Sequence, residues 1–420
     1  MNKILLVILL LAPFMVWDAT VYFLRARGDT STERRAEILR HFTGEDIATG
    51  RGHLERHNRM FPFYRLLFYA FYAAVLFGGL GARLESALMP VTGGRWYLAL
   101  PVFVLVLLTV RSLLYMPLLA WSEFVIQRQA GLSTISVGLW LADRLKSLAL
   151  GWVIVTLVAL PVLALVKSLP GSWWLPAGAV VLAVSAFGIW ISPWVIDPLF
   201  NKFTPLEQEG LDERIRSLSA GAGLPVKHVY QMDASRRSLY LNAYFTGLAN
   251  SRRVVLYDTL VRACTQEEVL SVVAHELGHW KGRHILKGFL LEVIGVMAGL
   301  WFLYLMTGSG PLCAFFGLPG PSSLVLVLLL PFLVSLASTV TSPVVSAVSR
   351  KFEREADRTA LELTADPEAF IELEKKLVRR AKADLLYPKV LHLFYGSHPL
   401  AEERIQAAEK YARENLLPAR

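Results

Sequence analysis

The sequence predicts a mostly α-helical, polytopic membrane protein, and three observations carry that prediction. Hydrophobic residues make up 54% of the 420 residues and charged residues only 18%, against about a quarter charged in soluble domains. Seven stretches are apolar and long enough to span a bilayer. The basic residues between them collect on one side of the implied membrane.

The spans are expected at residues 4–24, 62–82, 97–120, 145–166, 173–195, 285–306 and 324–347. Lys3 before an apolar run also suits a signal peptide, but no clear small-x-small cleavage site precedes Asp18, so the first stretch is read as a span. Alternate threading then puts the N-terminus and the connections 83–96, 167–172 and 307–323 on a side holding only Lys3, Arg83, Arg95 and Lys167. The other side receives residues 25–61 with eight arginines, together with 121–144, 196–284 and 348–420. By the positive-inside rule that side is cytoplasmic. The net charge of +9 is mostly juxtamembrane arginine and lysine. It points to membrane lipid as a partner and not to nucleic acid. Cys264 and Cys313 fall on opposite sides, which excludes a disulfide between them. Asp18 and Glu292 lie within spans, where each faces a water-filled interior, sits near an interface, or makes a polar contact with a neighbouring helix.

Within 196–284, residues 211–222 read as a short amphipathic helix, 226–232 as a strand, and 239–245 with 253–257 as a hairpin pair around Gly247 and Asn250. Thr265-Gln266-Glu267-Glu268 then forms a capping box, and Val269, Leu270, Val272 and Val273 carry a helix into His275-Glu276-Leu277-Gly278-His279. Residues four apart share a helical face, so His275 and His279 reach one Zn²⁺ while Glu276 lies beside it as a general base for water. A gluzincin-type site needs a third ligand, and the segment 350–357 offers Glu353, with Glu355 as the alternative. Glu353 and Asp357 share a face, so Asp357 can hydrogen-bond the outer nitrogen of a ligating histidine. Two spans separate His279 from Glu353, which returns both halves of the site to one side of the membrane.

The segments 273–280, Phe352-Glu353-x-x-Ala356-Asp357 and Ser397-His398-Pro399, with 198–206 and Ser238-x-x-x-Asn242-Ala243-Tyr244-Phe245-x-Gly247, resemble those of the type I CAAX prenyl proteases. That resemblance covers most of the chain beyond about residue 115. It implies seven transmembrane helices around a hydrated chamber, with a cytoplasmic gluzincin-type zinc protease domain at its end. It also implies one Zn²⁺ bound by His275, His279 and Glu353, with Glu276 as the base and His398 steadying the oxyanion. Asn242, Ala243, Tyr244 and Phe245 would form the edge against which substrate extends, and Arg404 would help hold a ligand or substrate carboxylate. The substrate implied is a C-terminally prenylated protein that loses its last three residues.

Four parts follow: 1–195 with five spans, 196–284 with the hairpin and the metal-motif helix, 285–347 with spans six and seven, and 348–420 supplying the third ligand. The short 307–323 connection, the excess of arginine over lysine and the lack of a retrieval signal point to a bacterial inner membrane, with the site toward the cytoplasm. In such a host the alternative is a quality-control protease acting on unprenylated or misfolded membrane proteins. A transporter-like bundle with a structural zinc ranks last, because its spans lack paired Gly/Pro breaks and a structural zinc has no use for Glu276.

Overall fold

The computed structural model describes residues 3–246 and 253–416. Its seven membrane-length helices are Ile4–Arg27, Gly44–Phe77, Trp96–Gln127, Val137–Ser168, Trp174–Phe200, His284–Thr307 and Leu326–Thr364. Each overlaps a stretch expected from hydropathy; the second ends at Phe77, short of the expected 82, and several run further at one end. The second begins at Gly44, where Thr43 and Asp46 close a capping box, and its first turns are polar. Hydropathy sees only its apolar C-terminal half. The seventh is 39 residues long, about 58 Å at 1.5 Å per residue. A hydrocarbon core is about 30 Å thick, so the helix projects well beyond it and carries Glu353 and Asp357 on the projecting turns.

The two acidic residues within spans both contact a neighbouring helix. Asp18 accepts hydrogen bonds from Arg65 Nε (2.6 Å) and the Tyr69 hydroxyl (2.5 Å) across the first and second spans. Glu292 accepts one from Ser185 Oγ at 2.6 Å across the sixth and fifth. The membrane core is one apolar cluster centred on Leu76, Phe103, Leu163, Trp173 and Phe332.

Between spans five and six lies a four-stranded sheet of β1 (Phe203–Pro205), β2 (His228–Met232), β3 (Ala243–Thr246) and β4 (Arg253–Tyr257), in the order β1-β2-β4-β3. The expected hairpin partners do pair, antiparallel, with Ala243 opposite Leu256. The strand starts at 243 rather than 239 because residues 238 and 239 are held elsewhere: Ser238 bridges Ser133, and Leu239 N–H donates to Leu132 O. Gly247 and Asn250 lie outside the described residues. β1 escapes sequence reasoning because it is three residues long and ends in proline. β4 is central, with Val254, Val255 and Leu256 fully buried, while β3 has no strand on its outer side among the described residues.

The connection after the first span folds onto the C-terminal helices. Arg34, buried to 5% exposure, donates to Asp29, Glu402 and the carbonyls of Leu385 and Tyr387. Ile38, Phe42 and Ile47 pack there against Val378, Leu385 and Ile405. The segment that follows the seventh helix is thereby clamped to the beginning of the chain.

Candidate metal centre

The helix Gln266–Lys281 is started by the expected capping box, in which Thr265 Oγ1 accepts from Glu268 N and Glu268 Oε2 accepts from Thr265 N. Lys376 fixes the same carboxylate at 2.6 Å. The helix crosses the projecting part of the seventh helix at Gly278, where a Cβ would lie 2.7 Å from Ala356 Cα. Only glycine permits that approach, and it brings Glu353 up to the two histidines.

His275 Nε2 and His279 Nε2 are 3.1 Å apart, and each lies 3.4 Å from an oxygen of Glu353. Tetrahedral ligands at about 2.05 Å from a metal are separated by about 3.3 Å; His275 approaches Glu353 through Oε2 and His279 through Oε1, so the two imidazoles and the carboxylate are gathered, with ligand atoms within 4.8 Å of one another, around a point that one ion can occupy. Glu353 Oε2 is buried without a hydrogen-bond partner, an expensive state that a cation would relieve. The electrostatics agree. Burial works against charging His275, yet the carboxylates of Asp357 and Glu353 lift it to about 10. Burial and the neighbouring His275 push His279 down to about 4. The set thus calls for one positive charge at its centre. Burial pushes Glu276 up to about 7, within range of proton transfer near neutral pH.

Asp357 Oδ1 lies 2.8 Å from His275 Nδ1, which fixes that ring with Nε2 toward the donor cluster. Arg404, expected to help hold a ligand or substrate carboxylate, holds two carboxylates of the protein itself. Its guanidinium grips Asp357, with Nε to Oδ2 at 2.8 Å, and Glu374 at 2.7 Å, and its side chain is 12% exposed. It braces the carboxylate behind His275.

His279 has a support that sequence reasoning missed. Its Nδ1 is 3.0 Å from His284 Nδ1, and His284 Nε2 is 3.0 Å from Glu355 Oε2. His284 is buried and stacks on Phe352 with ring centroids 4.3 Å apart. One proton assignment satisfies the chain: His279 Nδ1–H donates to His284, and His284 Nε2–H donates to Glu355. Glu355, weighed from sequence only as a rival to Glu353, is the outer member of this relay. Arg283, at φ 52°, turns the chain back and makes the contact possible. His284→Phe is expected to weaken metal affinity about 10–100-fold without unfolding, as measured by chelator competition; wild-type affinity in the variant would make the relay idle.

His398 Nε2 stands 3.3 Å from Glu353 Oε2, with 61% of its side chain exposed. Its segment is held by buried Arg350, which donates to the carbonyls of His392 (3.0 Å) and Gly396 (2.7 Å), while His392 contacts His398 O. Strand β3 lies against the same helix, because Phe245 packs on Trp280 at 4.8 Å between centroids. Ala243 and Phe245 bury their side chains, and Tyr244 donates to Asp197 at 3.2 Å. Asn242 O accepts from Tyr257 N, so its main chain faces β4. By antiparallel alternation the outward groups belong to Ala243 and Phe245. The Ala243 N–H is covered by Asn242 Oδ1 at 2.9 Å. Beside His279 and Phe245, Trp190, Trp194, Leu286 and Phe289 line an apolar cavity of about 370 Å³.

Residues 205–412 match the model of peptidase family M48, and residues 37–202 match that of the CAAX prenyl protease N-terminal region with five membrane helices. The uncharacterized metalloprotease YhfN of Bacillus subtilis is 33% identical over 311 residues, covering 73% of this chain and 72% of that protein. CAAX prenyl protease 1 of Saccharomyces cerevisiae is 31% identical over 326 residues, covering 73% and 71%. The crystal structure of S. mikatae Ste24p superimposes with a TM-score of 0.86 at 22% identity, over 97% of this chain and 99% of that one, which shows a shared fold. The metal-donor geometry, the membrane helices and these matches place the chain in the type I CAAX prenyl protease family of integral-membrane M48 metallopeptidases.

Proposed function

We propose that the protein is a zinc endopeptidase acting on C-terminally prenylated proteins, with His275, His279 and Glu353 holding one Zn²⁺. The single observation that carries the zinc site is the convergence of His275, His279 and the Glu353 carboxylate, whose ligand atoms lie within 4.8 Å of one another. When bound, the ion supplies Lewis-acid polarisation of the scissile carbonyl and lowers the pKa of water. Glu276 takes the proton of the attacking water and returns it to the leaving amine. His398, the exposed imidazole beside Glu353, donates to the oxygen on which negative charge develops. Asp357 and Arg404 keep His275 oriented. The free edge of β3 holds an extended peptide through the Ala243 carbonyl and the Phe245 main chain, which accepts varied side chains.

The apolar cavity beside His279 supports the prenyl reading over the quality-control one. An isoprenoid gains about 0.8 kcal/mol per CH₂ buried there. A farnesylated peptide should therefore show a KM at least about tenfold below that of its unprenylated twin, read by mass spectrometry of the products. Equal KM values would leave the peptidase in place and favour the quality-control alternative.

The arginine-rich segment 25–61 supports an orientation with the site toward the cytoplasm, as in a bacterial inner membrane. Cys313 is buried, which makes it a poor reporter. An impermeant thiol reagent on intact cells should instead label Arg95→Cys and spare Glu45→Cys; the reverse pattern inverts the topology.

A further inference from the structure

The short helix Lys389–Tyr395 belongs to the C-terminal part, yet its end packs on the first span. Trp17 Nε1 donates to the Tyr395 hydroxyl at 2.6 Å, and the Trp17 and Phe394 rings lie 4.5 Å apart. The depth of Trp17 follows from length. The first span, Ile4–Arg27, has 24 residues, about 36 Å at 1.5 Å per residue, and must cross a hydrocarbon core of about 30 Å. About 6 Å is left over. Arg27 stands on the side of the protease part, since the connection that follows it is clamped to the C-terminal helices through Arg34 and Glu402. Trp17 is about 15 Å from Arg27 along the helix, so it sits about 9 Å or more inside the core even when all of the excess lies at that end. Helical side chains lean toward the N-terminus, which carries the Trp17 ring away from that surface.

Backbone at membrane depth finds no water, so a segment there must satisfy its polar groups from the protein. A helix this short leaves its last carbonyls without intrahelical donors, and the seventh helix supplies them. Arg350 Nη1 donates to the carbonyls of His392 (3.0 Å), Leu393 (3.4 Å) and Gly396 (2.7 Å), and Ser346 Oγ donates to that of Phe394 at 2.8 Å. Both donors are buried. The outer side of the same stretch is apolar, with Val390, Leu393 and Tyr395 exposed to 47%, 55% and 40%. Val390 and Leu393, three apart, share one face of the helix, while Leu391 is fully buried. Water would satisfy those carbonyls without a buried arginine, and it would penalise the exposed valine and leucine. Acyl chains reverse both terms. Lys389, exposed where the helix begins, suits the head-group level.

We propose that Lys389–Tyr395 is a re-entrant segment that dips into the leaflet on the protease side, with Val390, Leu393 and Tyr395 among the acyl chains of membrane lipid. His398 follows three residues after Tyr395, so the segment sets the height of that imidazole relative to the bilayer. The test places a nitroxide on Leu393→Cys in the full-length protein carrying Cys264→Ala and Cys313→Ala, in phosphatidylcholine nanodiscs. Power-saturation EPR then compares collisions with oxygen, which enters hydrocarbon, and with a nickel chelate, which stays in water. Relative to the same label on Lys410→Cys, an exposed position of the last helix, chelate collisions should fall at least about tenfold while oxygen collisions rise. Val390→Cys should give the same pattern, which keeps the test decisive if Leu393→Cys lowers the unfolding temperature. Free access of the chelate to both positions would place this face in water, and exclusion of both reagents would place it under protein, as in a second copy of the chain; either result overturns the proposal. The readout requires no hydrolysis, so it stands apart from the peptidase reading.

Discussion

Glu276→Gln is expected to lower kcat for peptide hydrolysis about 10²–10⁴-fold while leaving the metal content at one equivalent. The amide is nearly isosteric with the carboxylate and no donor in the triangle of His275, His279 and Glu353 is touched. It cannot accept a proton from water, and so cannot generate the nucleophile or protonate the leaving amine. The expected signature is a kcat effect with an unchanged peptide Kd and unchanged metal by atomic absorption. Substantial hydrolysis by the variant would remove Glu276 as the base. Loss of metal would instead show that its burial, which holds its carboxyl up to about 7, is coupled to the fold of the donor cluster.

Gly278→Val should be more damaging than any substitution of a residue that supports the donors through hydrogen bonds. A Cβ at this position meets the Ala356 backbone at 2.7 Å and Thr359 Cβ at 3.1 Å, and backbone cannot rotate away. The two helices must separate, and Glu353, one turn from Ala356, moves with its helix. We expect loss of stoichiometric metal together with a fall in Tm, since small-to-large changes in a tight interface cost about 1–3 kcal/mol or more. The double variant Gly278→Val/Ala356→Gly tests the mechanism and should not recover metal, because the obstructing atoms are main chain. Wild-type metal binding by Gly278→Val would show that this close approach is dispensable.

Legibility from sequence followed the range of the interactions. The seven spans were visible because hydropathy is a local average, and the histidine pair was visible because i and i+4 share a face. The start of the second helix was hidden by its polar first turns. The His279–His284–Glu355 relay depends on a left-handed turn at a non-glycine residue, Arg283, which no local preference announces. Arg404 was legible as a charge near the site. Its partners Asp357 and Glu374 sit on two other helices, so sequence could not tell a brace from a substrate contact. The same limit applied to Asn242, whose main chain turns to Tyr257 and leaves the free edge to its neighbours.

One continuous rod, Leu326–Thr364, holds apolar Phe332 in the membrane core and Glu353 at the metal centre. Pro343 interrupts its hydrogen-bond ladder ten residues before Glu353, a lever arm of about 15 Å. A tilt of about 10° at that point would swing Glu353 by about 2.6 Å, far more than a coordination bond tolerates. Beyond that break the distal turns are tied to the histidine helix by the Gly278–Ala356 approach, so the rod anchors a metal donor to the membrane core while Pro343 is the point where bending of its apolar part is taken up.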